Sequence, residues 1–305
     1  MGAKSVGCMG HCLWLTLFAC VFVACSSVPK RPAELFTIRN VAESQLDLAN
    51  HEVDQGNFER ALQILDEAKR LATSVDDPSL LVRELLARGN VLYYQGDEAG
   101  AALLWEDARV EAEHTGEIEL AAMARIYLER GRLLSGADAE EVRLAVSREL
   151  SVIKKDKLFI ALGWTVIGLA EKENGHFAEA EAALKKSLDI HQKGNYLEAA
   201  GGDWYLIASV RSVAGNYDAA INALSFAITF DRRAENSYGL GMDWRAAGDV
   251  YKKAGDLAAA QNAYQRSLAI FKAISHEQEA AVSAARLTAL LGARDAEWAV
   301  AVASS

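Results

Sequence analysis

Histidine is the side chain most easily recruited for proton transfer or metal binding near neutral pH, and the chain has six. Five of them, His51, His114, His176, His191 and His276, fall at or near the expected ends of helices. None forms the H-E-x-x-H spacing that brings two imidazoles onto one helical face around zinc. A surface histidine at a helix cap is therefore expected at each. Gly239-Leu240-Gly241 has the look of a phosphate turn, but it follows a helix, lacks the third glycine of that fingerprint and sits where two repeats join. Carboxylates such as Asp76, Asp77, Glu111 and Glu113 are abundant and expected to be solvated. No Ser/His/Asp grouping suggests a nucleophile and its base. The reading is of no catalytic residue, no metal site, no cofactor and no enzyme.

Cysteine narrows the chemistry further. All four, Cys8, Cys12, Cys20 and Cys25, lie in the first 25 residues, which excludes a disulfide framework or cysteine-based metal site in the rest. Lys4 precedes an uncharged apolar run from Cys12 to Ala24, too short for a confident membrane span and suited to the core of a signal peptide. Phe22-Val23-Ala24-Cys25 resembles the lipobox of bacterial lipoproteins. That resemblance implies a signal peptide over 1–24, acylation of Cys25 with palmitate among its chains, and a polar linker over 25–32. It also implies anchoring to a bacterial membrane facing the periplasm. Ser26 after the cysteine favours the outer over the inner membrane, with the cell surface as the alternative.

These groups must be held by something, and composition says it is helix. Hydrophobic residues make up 51% and charged residues 24%, as in folded domains. Prolines number only 3, and none follows Pro78. Sheet proteins need turn residues every 8 to 12 positions or so, so all-β and α/β folds are excluded. The 42 acidic against 32 basic residues give a net charge of -10, with no long basic run, which argues against a nucleic-acid partner.

The helices repeat. Gly56, Gly96, Gly175, Gly215 and Gly255 are spaced 40, 79, 40 and 40 apart, with Gly136 at the middle of the wide gap. Five residues after each of the five comes alanine (Ala61, Ala101, Ala180, Ala220, Ala260), and four further on a large side chain (Leu65, Trp105, Leu184, Leu224, Tyr264). Trp164, Trp204 and Trp244 recur 40 apart. The third repeat has Glu141 and Ala145 where Ala and a large residue are expected, and reads as degenerate.

The pattern resembles the tetratricopeptide repeat, whose first helix reads W-x2-L-G-x2-Y and whose second carries A-x3-F-x2-A. Trp244 to Tyr251, with Gly248 between, carries the likeness most closely. The resemblance implies an all-α, right-handed α-solenoid of about six helix pairs with a period near 40, over residues 33–275. A capping helix over 276–291 and a tail over 292–305 complete the expected organisation. Tryptophans and the large column are expected to fill the space between helices.

In such arrays the first helices of the pairs line a concave groove. Carried over place by place, the groove includes Asn50, Asn90, Tyr93, Tyr205, Ser209, Arg245, Asp249, Lys252 and Lys253. Arg245, Asp249, Lys252 and Lys253 form one helical stripe, a local positive surface suited to an acidic peptide. The functional expectation is a membrane-anchored scaffold that binds a peptide or periplasmic protein partner, with self-association left open. The alternative is a lipoprotein associated with TRAP transporters, assisting uptake of a small ligand through a solute-binding protein.

Overall fold

A computed structural model describes the backbone over residues 37–303 and side chains through 292. The expected signal peptide, Cys25 and the expected linker lie outside the described residues. Residues Ile38–Ser305 form one compact unit. Among the described residues there are thirteen helices and no strand. No helix among them is long and apolar enough to cross a membrane.

Consecutive helices pack as antiparallel pairs. The first members are α1 (Ile38–Asp54), α3 (Pro78–Tyr94), α5 (Ile118–Leu134), α7 (Lys157–Glu173), α9 (Leu197–Val213) and α11 (Ser237–Lys253). Their partners are α2 (Phe58–Ser74), α4 (Glu98–His114), α6 (Ala139–Val152), α8 (Phe177–Gly194), α10 (Tyr217–Ala234) and α12 (Leu257–Ala273). The final helix, α13 (Glu277–Ala303), packs on α12. It runs past the expected boundary at 291, so the tail placed at 292–305 is largely helical. Gly292 is a weak stop, costing only about 1 kcal/mol relative to alanine, and the alanine-rich sequence around it favours helix.

Local chemistry sets these boundaries. Each turn within a pair closes on a glycine with φ between +75° and +87°, a backbone state that costs other residues a steric penalty. Side-chain caps start many helices: Asp77 accepts from Leu80 N at 3.2 Å ahead of Pro78, and Asp97, Asp138, Asn236 and Asp256 act alike. The periodic columns are the core. Ala61, Ala101, Ala180, Ala220 and Ala260 are fully buried, as are the large residues four places on. A Cβ added at Gly248 would come within 2.5 Å of the Tyr264 ring, so the small residue there lets α11 and α12 approach closely.

The third repeat is shifted, not degenerate. Its cap, Asp138, stands two residues after Gly136, where Asn57 and Asp97 directly follow theirs. The added residue moves the buried pair from Glu141 and Ala145 to Val142 and Val146, both fully buried. The following helix, α6, is then short, 14 residues against 17 or 18 for the other second helices. The tryptophan column also differs from expectation. Trp164, Trp204 and Trp244 are half-buried, under Lys186 (3.7 Å), Phe226 (4.6 Å) and Arg266 (4.6 Å) at one repeated place on the second helices.

Candidate partner-binding groove

Two clusters hold most of the expected groove residues. At the carboxyl-terminal end, α9 and α11 leave a cleft of about 140 Å³ lined by Tyr205, Ser209, Ser212, Asp249, Val250 and Lys253 among others. Lys253 Nζ donates to Ser212 Oγ at 3.3 Å. Asp249 accepts from Tyr264 Oη at 2.7 Å and pairs with Arg286 of α13. Burial pushes the Tyr205 hydroxyl above its ordinary range, with the nearby Arg245 opposing.

Arg245 does not join this cleft. It is 7% exposed, pairs with Glu279 of α13, and lies 5.4 Å from the centre of the Phe271 ring. The fold thereby takes Arg245 out of the expected positive stripe and leaves Lys252 and Lys253 exposed. Arg245 and Asp249 tie the last repeat to its cap, and Lys253 is held by Ser212. Lys252 alone of the four is exposed with neither an ion-pair nor a hydrogen-bond partner among the described residues. The spacing of the stripe was legible, but the acidic and basic partners on α13 belong to no repeat place and could not be aligned with it.

The second cluster lies at the amino-terminal end. Arg130 of α5 donates to Asn90 Oδ1 at 3.1 Å and to Tyr94 Oη at 3.3 Å. Its guanidinium lies 4.8 Å from the centre of the Tyr93 ring and 5.5 Å from that of Tyr94. Tyr94 in turn stacks on Phe58. Burial holds the Tyr127 hydroxyl nearby up to about 12, so it is neutral. Arg130 is half-buried and has no carboxylate partner. The other described arginines lacking one, Arg148, Arg232, Arg233 and Arg266, are all exposed. An aromatic-walled guanidinium with unused donors is suited to a carboxylate or a peptide carbonyl.

Arg130 is absent from the expected groove residues, yet its signal was present. It stands 40 residues after Asn90, itself 40 after Asn50, and so continues one column of the concave face. The apparent degeneracy of the third repeat hid it. Asn50 is exposed on α1.

Buried ionisable groups were also missed. His191, expected at a surface cap, is buried in the last turn of α8, with Nδ1 at 2.6 Å from Asp203 Oδ2. Forty residues on, Asp231 of α10 faces Asp243 of α11, both nearly inaccessible. Burial pushes Asp231 up to about 7, and burial with the facing Asp231 raises Asp243 well above the carboxylate range. Gly239 and Gly241, the suspected phosphate turn, lie inside α11. A Cβ at Gly239 would clash with Asp231, and one at Gly241 with the ring of Phe271. Among the described residues no group of three or more His, Cys, Asp or Glu is placed to hold a metal ion.

This architecture has known counterparts. Residues 203–273 match the tetratricopeptide-repeat family profile, and the fold of the array is that of a tetratricopeptide solenoid. No curated protein sequence matches the chain. Among solved structures, a Rap protein complexed with competence and sporulation factor superposes with a TM-score of 0.56 at 17% identity, covering 81% of this chain and 74% of that one. The apo form of RapI gives 0.56 at 14%, over 86% and 74%. A thermophilic tetratricopeptide protein of Thermus thermophilus gives 0.51 at 18%, over 68% and 99%. At these identities the likeness is one of fold.

Proposed function

We propose that the chain is a membrane-anchored scaffold that binds an acidic segment of a protein or peptide partner along the concave face of its first three repeats. The tetratricopeptide fold suggests a protein-interaction scaffold. The observation that carries the finer reading is Arg130, the half-buried arginine that no carboxylate neutralises, on the same column as Asn50 and Asn90. Amides at these places can pair with a peptide backbone, while Arg130 supplies charge and Tyr93 and Tyr94 supply apolar contact. Lys252, exposed at the other end, extends the same preference.

Panning a displayed peptide library against the purified full chain in detergent tests this reading. Acidic sequences should be enriched, and their binding should weaken as salt rises. Arg130→Ala should reduce their affinity at least about tenfold, the scale of one lost charge-assisted hydrogen bond. Enrichment of neutral or basic sequences, or equal binding by the variant, would overturn the assignment. Anchoring through Cys25 is tested separately: Cys25→Ala should abolish acyl labelling and move the protein from the membrane to the soluble fraction.

A further inference from the structure

The turn between α1 and α2 touches helices far along the array. Phe58 meets Tyr238 of α11 edge-on, with ring centres 6.5 Å apart. Among the described residues seven turn glycines have positive φ. A Cβ added at Gly96, Gly116, Gly136, Gly175, Gly215 or Gly255 would meet nothing within 4 Å, whereas at Gly56 it would lie 2.6 Å from the Tyr238 ring. Beside this contact His51 Nδ1 of α1 is 3.4 Å from Glu198 Oε1 of α9. The first helix pair therefore closes onto the fifth and sixth, across the mouth of the concave face.

The charges at this closure respond to pH in one direction. Asp54 of α1 is exposed to water on one side, while Glu198 of α9, Asp231 of α10 and His191 of α8 face it across the closure. Enclosure first, then Glu198 and Asp231, push its carboxyl up to about 7. Asp231 also faces Glu198, Asn236 and Asp243. Tyr238 faces Glu279, Arg245, Tyr94 and Tyr205, packs on His276, and at about 12 stays neutral. A carboxyl whose value is raised by closure binds its proton more tightly when closed, so closure is favoured below about 7 and opposed above it.

We propose that the contact of the first helix pair with α9 and α11 is a latch that closes the concave groove in mildly acidic medium and releases it in alkaline medium. Control of partner access by this latch rests on the function proposed above; the closure itself does not.

Amide hydrogen exchange of the full chain in detergent, at pH 5.5 and 8.5, reads the latch without any partner. Rates are corrected for the pH dependence of chemical exchange and referred to the remote turn at Gly215. Protection of segments around Glu198 and Tyr238 should fall about tenfold between the two pH values. That lies within the roughly 30-fold ceiling that one group titrating near 7 imposes over this range. Asp54→Asn should lose less protection than the parent between the two values, the remaining fall near Tyr238 being that of the Asp231 and Asp243 junction. Gly56→Ala should expose the Tyr238 segment, while Gly96→Ala, also at positive φ but with nothing packed on it, should not. Protection unchanged with pH in the parent chain, a parental response in Asp54→Asn, or equal protection in the two glycine variants would each overturn the latch.

Discussion

Two neighbouring junctions of the array occupy identical repeat places and carry opposite chemistry. Between α8 and α9, His191 meets Asp203; between α10 and α11, Asp231 meets Asp243. The first is a complementary pair, the second two carboxyls that cannot both ionise cheaply in a buried site. The helices pack alike at both, because packing depends on the alanine and large columns, which are the same. A repeat place thus fixes where a side chain sits and leaves its charge free to vary.

The largest expected effect breaks the complementary junction. His191→Ala leaves the Asp203 carboxylate nearly inaccessible, with the Ser187 hydroxyl as its remaining partner. Removing one member of a buried pair costs about 3 to 5 kcal/mol, which urea unfolding at pH 7 will register. At the acidic junction the sign reverses. Asp243→Asn supplies a donor to Asp231 without needing a shared proton, and should stabilise the chain by about 1 to 3 kcal/mol at pH 8. Because burial raises Asp231 to about 7, its stabilising share in the parent is fully present below its ordinary value of 3.8 and is lost as pH rises through 7. Unfolding midpoints between pH 5 and 8.5 should therefore fall in the parent and stay flatter in Asp243→Asn. The smallest effect is the most local. A Cβ at Gly201 would lie 2.5 Å from Asp231 Oδ1, and one at Gly202 would meet nothing within 4 Å. Gly201→Ala should destabilise by about 1 kcal/mol, and Gly202→Ala should stabilise by up to about 1 kcal/mol. Thermal melts showing the same sign for both would mean that the carboxyl does not occupy that space.

The repeat made the helices and their core legible, since both depend on near neighbours at fixed spacing. Ala61, Trp105, Leu184 and Tyr264 are buried where the spacing places them. Turn length is the finer variable, and Ala137 shows it: one added residue moved Val142 and Val146 into the core and disguised the repeat that holds Arg130. Pairings outside the period were not legible. Arg245 with Glu279, Asp249 with Arg286 and His51 with Glu198 join residues whose separation is no multiple of 40. The packing of α13 on the last repeat makes the first two pairs, and the curvature of the array brings His51 to Glu198.

The contact of Gly56 and Phe58 with Tyr238 also bears on how the array comes apart. A linear stack of repeats frays, since a terminal pair has one neighbour and can melt alone for the loss of one interface. Here the first pair has a second interface with α9 and α11, so melting it severs two. With fraying at that end penalised, unfolding should become more nearly all-or-none.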